Sequence, residues 1–464
     1  MKPRIHSPSA AAGKPAQPRQ AWYQRHRGRP QPFRQAGRWL RILGPGLITG
    51  AADDDPAGIG TYSQAGAAFG MGQLWLMLYM LPLMIAVQEM CGRIGLVTGK
   101  GIAAVVRQRY SRGLLFGAVA LVFAANTINI GADLGAMAAA TQLLVPAVPF
   151  LVVLLAFGLG MLLIEVFVPY RQYAIILKVL TLSLLAYVVT GVLVGGDWGV
   201  ILRATLVPNI QFSSAFLALV VGVLGTTISP YLFFWQASEE VEEVEEKQKQ
   251  QGATRGSAQK RRASALPGEL RNLRLDTVCG MIASEVTAWF IVFTVGSTLY
   301  PHGVRNITSA EQAASALAPL VRGFPQVGEL ARIVFALGIV GTGLLAVPVL
   351  AGSAAYAVAE AFGWHEGLAR RFTQARGFYG VIILATVVGL AINLLGINPI
   401  TALVYSAIVN GVVAVPLLVL IMLVANNRAI MGEHTNGKLS NSVGILTTVA
   451  MTAAAVAALI LLFV

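Results

Sequence analysis

Cysteine is nearly absent: Cys91 and Cys279 are the only two in 464 residues. Both lie in or beside apolar stretches, which excludes a disulfide framework and leaves no Cys/His spacing for a metal centre. Charge is scarce as well. Asp, Glu, Lys and Arg make up 12% of the chain against 56% hydrophobic residues, about half the ~25% charged share of soluble domains. That balance excludes a soluble enzyme. There is no P-loop and no credible nucleophile triad, so an enzyme is not expected. The first forty residues hold no early apolar core, so no cleavable signal peptide is expected. Strand-like alternation does not dominate, which argues against a membrane barrel.

What remains is a series of apolar runs of helical length. About eleven spans fall near 42–68, 70–98, 114–141, 149–168, 172–195, 214–238, 275–299, 329–360, 377–395, 400–425 and 443–464. The fold class expected is an all-α polytopic membrane protein in the cell membrane, with the lipid bilayer as its solvent. The net charge of +13 is uneven. Lys100, Arg107, Arg109, Arg112, Arg171, Lys178, Lys260–Arg262, Arg370, Arg371, Arg428 and Lys438 fall in alternate loops. This is the positive-inside pattern with a cytoplasmic N-terminus, and it speaks for topology rather than nucleic-acid binding. Residues 1–40, rich in Pro, Gln and Arg, read as a disordered basic tail that anchors the topology, with contact to anionic lipid as the alternative. Residues 41–464 form the membrane domain. Within it, 239–274 reads as a cytoplasmic charged segment, in which Glu239–Glu246 extends a helix into solvent before a flexible loop.

The organising stretch is Gly50-Ala51-Ala52-Asp53-Asp54-Asp55-Pro56-Ala57-Gly58. Each acid at membrane depth costs roughly 2.5–3.5 kcal/mol on insertion scales. Pro56 removes a backbone donor and the flanking glycines permit an unwound backbone. A broken helix that holds acids is expected only where it lines a protected, wet cavity. A second interruption, Gly225-Thr226-Thr227-Ile228-Ser229-Pro230-Tyr231, falls in the sixth span. Breaks in spans one and six occupy matching positions of two five-span halves, the pointer to an inverted 5+5 repeat with its site at the bilayer midplane. Asp55 is then the first candidate cation ligand. Asp53 and Asp54 supply negative potential, and the carbonyls of Ala52 and Thr226 are candidate oxygen donors. Thr227 and Tyr231 are candidate lining residues. Glu285, an acid inside the seventh span, is a further candidate on the ion path. Gln88, Glu89, Asn126, Asn129 and Asp133 are weaker candidates, and Glu165 reads as an ordinary acid near a helix end.

At these breaks the chain resembles the Nramp family of divalent-metal transporters, which share the LeuT/APC-type fold. Gly44-Pro45-Gly46 and Asp55-Pro56 resemble the start of the family's first helix and its Asp-Pro-Gly-Asn motif. Arg93 to Lys100 resembles the end of its second helix, Gly225 to Gln236 its sixth with the Met-Pro-His motif, and Tyr405 to Asn427 its tenth. The departures carry information. Gly58 stands where the family has the amide ligand, and Ser229 and Tyr231 stand in place of the thioether and the histidine. Asn129 and Ala132 align with the third-helix acids used in proton movement, with Asp133 one place off.

A thioether favours transition metals, whereas carboxylate, carbonyl and water suit Mg²⁺, Ca²⁺ and Mn²⁺. The substitutions therefore resemble the family's magnesium-transporting branch. They imply a secondary transporter of Mg²⁺, with Mn²⁺ also carried, that works without proton coupling. The cation is cargo and no cofactor is implied. Two alternatives use the same fold: a proton-coupled Mn²⁺/Fe²⁺ importer and a Na⁺-coupled amino-acid carrier. The latter is disfavoured because Asp53–Asp55 repel a substrate carboxylate. A sensor or scaffold acting through the acidic segment is a third class.

Overall fold

The computed structural model describes residues 45–168, 184–250, 255–321 and 327–462. Among the described residues there is no strand. In chain order the α-helices are α1 (Pro45–Asp53), α2 (Pro56–Phe69), α3 (Leu74–Thr98), α4 (Ile102–Arg109), α5 (Arg112–Gln142), α6 (Phe150–Phe167), α7 (Leu185–Val194), α8 (Trp198–Leu206) and α9 (Ser214–Thr227). There follow α10 (Pro230–Gln250), α11 (Arg255–Thr298), α12 (Ala310–Ser315), α13 (Val327–Phe362), α14 (Arg376–Ile392), α15 (Pro399–Asn426), α16 (Arg428–Met431) and α17 (Lys438–Leu462).

Among the described residues, nine helical stretches are long and apolar enough to cross a membrane, with α9 and α10 taken together. The first span is not one of them because it is split into the short halves α1 and α2. The expected span 172–195 is described only from residue 184. Arg171, Lys178 and the basic tail 1–40 lie outside the described residues. The outer faces are apolar: Leu151, Leu155, Leu159 and Leu163 recur every four residues along α6 and are all exposed. A continuous exposed leucine stripe fits lipid rather than water.

Both breaks are built the same way. The first half-helix stops, two residues follow, the second with an oxygen side chain, and a proline opens the second half. Asp55 caps α2, accepting from the Gly58 N–H at 2.6 Å, with Pro56 at the first helical position. Ser229 precedes Pro230 at the start of α10. Its hydroxyl turns back onto the freed carbonyls of Gly225 (2.7 Å) and Thr226 (2.5 Å). Proline suits a helix start because its missing donor would be orphaned there anyway.

The half-helices are seated by close backbone contact. A Cβ on Gly50 would fall 2.3 Å from the Gly280 carbonyl of α11, and one on Gly225 would fall 2.2 Å from the Ala407 carbonyl of α15. Only glycine permits approaches this short, as is common where helices associate without a hydrophobic driving force between them. The start of α1 is also tied to α11. Asp276 accepts from the N–H groups of Gly46 (2.6 Å) and Leu47 (3.2 Å), two donors that a helix terminus leaves unsatisfied.

Segment 239–274 differs from a solvated extension and loop. Its described parts are helical, as the ends of α10 and the first half of α11. Leu96, Val244, Leu270 and Leu273 bury one another in a small separate core that joins α3, α10 and α11. The acidic run is engaged: the Tyr356 hydroxyl donates to Glu242 at 2.6 Å and to Glu239 at 3.3 Å. Beside it lies a cavity of about 130 Å³ bordered by Lys100, Glu242, Glu246, Glu360, Glu366 and Arg370.

Candidate substrate site at the two helix breaks

The two breaks meet. A Cβ built on Gly58 would lie 3.1 Å from Thr226 Oγ1, 3.2 Å from the Asp53 carbonyl and 3.3 Å from Asp55 Oδ1. The Tyr231 hydroxyl, from the first turn of α10, donates to the Ala52 carbonyl at 2.8 Å and lies 3.5 Å from Asp55 Oδ2. The Thr227 hydroxyl lies 3.0 Å from that of Tyr62 on α2. Ala52, Asp55, Gly58, Thr226, Thr227, Ser229 and Tyr231 therefore share one buried centre.

Asp53, Asp54 and Asp55 are all buried. They point to two sides. Asp55 turns to α5, where the Asn129 side chain donates to its Oδ2 at 2.8 Å. Asp133, one turn further on α5, lies 3.5 Å from the same amide nitrogen and accepts from the Ala57 N–H at 3.2 Å. Asp53 and Asp54 turn to α11. There the Ser284 hydroxyl lies 2.7 Å from Asp53 Oδ2 and 3.2 Å from Asp54 Oδ1. Glu285, next in sequence, is buried with neither carboxylate oxygen hydrogen-bonded. Among the described residues no Lys, Arg or His pairs with any of these five acids.

The weaker candidates divide. Asn129 and Asp133 join the centre, and Asn126 on the same helix instead holds the Leu350 carbonyl at 2.9 Å. Gln88 is buried without a partner. Glu89 is paired with Arg93 (3.1 Å) and Arg274 (3.0 Å). Glu165 is not an ordinary helix-end acid: it is buried and its oxygens accept no hydrogen bond. Three contributors had not been expected: Tyr62, Ser284 and Asn410, whose amide donates to Asn129 Oδ1 at 3.3 Å. Asn410 had a usable signal, a lone amide in an apolar span.

Paired broken helices that hold unpaired acids at their meeting point define a membrane transporter of the inverted-repeat class. Solved structures of that class share the fold. A manganese transporter from Eremococcus coleocola matches with a TM-score of 0.69 at 18% identity, covering 90% of this chain and 86% of that one. MhsT, solved in complex with L-phenylalanine, matches at 0.56 and 14%, covering 90% and 97%. Residues 46–461 match the Nramp family, described as natural resistance-associated macrophage protein-like. The chain belongs to the Nramp family, and is thus a multi-pass membrane transporter and not an enzyme. A curated relative, the divalent metal cation transporter MntH of Aeromonas hydrophila, is 24% identical over 416 residues, covering 88% of this chain and 92% of its own length.

Proposed function

We propose that this protein carries hard divalent cations across the cell membrane, Mg²⁺ foremost and Mn²⁺ as well, by alternating access and without proton coupling, with its N-terminus on the cytoplasmic side. The divalent class is supported by the relatives, a divalent metal cation transporter and a manganese transporter by name. The observation that carries the preference is the oxygen character of the centre. Asp55 supplies carboxylate, Ala52 and Thr226 supply carbonyls, and Ser229 and Tyr231 supply hydroxyls. Each carbonyl accepts one hydroxyl here and keeps a second lone pair for an ion or its water.

Among the described residues no three acids, histidines or cysteines gather closely enough to hold an ion directly. Such spacing suits a cation that keeps part of its hydration shell, as Mg²⁺ does. Gly58 adds no ligand of its own. Asp53, Asp54 and Glu285 set the negative potential that draws a dication in, and Thr227 braces Tyr62 beside them. An inside-negative potential adds about 2.3 kcal/mol per charge per 100 mV, enough to drive uptake of a dication without a coupled ion. Asn129, an amide that cannot carry a proton, stands against Asp55 and supports the uncoupled reading.

A second reading, proton-coupled transition-metal uptake, draws on Asp133, a carboxylate on the far side of that same amide. One experiment separates them: uptake of Mg²⁺, Mn²⁺ and Ca²⁺ into liposomes, for the native protein and Asp55→Ala, with internal pH recorded. Mg²⁺ uptake lost in Asp55→Ala, at constant internal pH, is the expected result. Metal-dependent acidification selects the second reading, and undiminished uptake by Asp55→Ala removes Asp55 from the site.

A further inference from the structure

We propose that Asp53, Asp54 and Glu285 hold a second divalent cation, beside the one at Asp55. The proposal rests on the transport reading above and adds to it a distinct station on the α11 side. Three observations lead there. First, the acids are divided between two supports: Asp55 is met from α5 by Asn129, while Asp53 and Asp54 share the Ser284 hydroxyl of α11. One hydroxyl hydrogen serves one carboxylate at a time. Secondly, Asp53 Oδ1 and both oxygens of Glu285 are buried without any hydrogen-bond partner. Glu285 is 4% exposed and Asp53 fully buried, and both lie within electrostatic reach of Asp54. Native chains rarely leave such groups orphaned without a reason.

Thirdly, no basic side chain among the described residues meets Asp53, Asp54 or Glu285, so no protein cation stands in for an ion there. The second set is carboxylate and hydroxyl throughout, which favours a hard ion of the transported class. Its members stand too far apart to chelate a bare ion, so retained waters complete the shell. Tyr62, within electrostatic reach of all three acids, is tied to Thr227 at the second break. Two neighbouring sites reconcile firm binding with release, because the second ion repels the first.

The test counts ions on the full-length protein in lipid nanodiscs, with Mn²⁺ as a paramagnetic probe read by electron paramagnetic resonance. Two bound Mn²⁺ per chain are expected, falling to one in Glu285→Gln, one in Asp53→Asn and one in Asp55→Asn. Asp53→Asn keeps an acceptor for Ser284 and serves if Glu285→Gln does not fold. A native count of one that vanishes in Asp55→Asn overturns the second station and leaves the first intact. Two ions retained in both Glu285→Gln and Asp53→Asn overturn it as well. Two ions retained in Asp55→Asn overturn the reading on which it rests.

Discussion

Asn129 links Asp55 to the tenth-span helix: its amide donates to Asp55 Oδ2 at 2.8 Å and its carbonyl accepts from Asn410 at 3.3 Å. The carboxylate that caps α2 is thereby held from two directions, by the Gly58 N–H and by α5. A hydrogen bond to a charged group is worth about 1.5–3 kcal/mol. Asn129→Leu should therefore reduce cation uptake by about tenfold or more, with the protein still inserted. Liposome flux measured against a folding control by size exclusion checks this, and unchanged flux would show that Asp55 needs no positioning from α5.

The resemblance sets Gly58 against the family's amide ligand, and the geometry gives a reason for glycine at this position. Its missing Cβ would sit 3.1 Å from Thr226 Oγ1 and 3.3 Å from Asp55 Oδ1. Overpacking of this kind costs typically about 1–3 kcal/mol. Gly58→Asn should lower the thermal unfolding midpoint and slow Mg²⁺ flux together. A thermal scan beside a flux assay tests both, and an unchanged midpoint would mean the breaks can move apart without penalty.

Ser229→Met replaces a hydroxyl bonded to the Gly225 and Thr226 carbonyls with a thioether. Sulfur favours softer metals, so Mn²⁺ and Cd²⁺ should gain on Mg²⁺ in competition uptake. Identical ratios before and after would place Ser229 away from the ion.

Outside the spans, Glu366 borders the cavity beside the acidic run. Burial first, then the neighbouring Glu360 and Glu242, push its carboxyl from an ordinary 4.5 up to about 9, against the opposing pull of Arg107 and Arg370. The folded chain thus keeps a proton that the unfolded chain releases between those values. Stability should fall as pH rises across that window. Glu366→Gln should flatten the slope between about pH 5 and 9 in a pH series of unfolding midpoints. A slope identical to that of the native protein would assign it to another group.

The two breaks were legible because their causes are local. Asp55-Pro56 and Ser229-Pro230 are adjacent residues, and an acid or proline in an apolar run stands out by itself. What joins to them was not legible. Ser284 reaches Asp53 from 231 positions away and Asn410 reaches Asn129 from 281, and neither distance leaves a mark in the local pattern. The acidic run misled for a related reason. Charge suggested solvent, but the buried spacing of Leu270 and Leu273 on α11, with Val244 and Leu96 opposite, fastens the segment down. Glu165 misled in the other direction, because nearness to a helix end says little about what covers the side chain.

The clasp at the start of α1 has a mechanical consequence. A helix of nine residues is fastened at one end by Asp276 and ends at the other at the bend of Asp54. Levering that helix outward strips two amides from a carboxylate and parts the Gly50–Gly280 contact in the same movement. The two holds are therefore not independent: Asp276 and Gly280 grip the same short helix from one partner, and loosening either weakens the seat of the other.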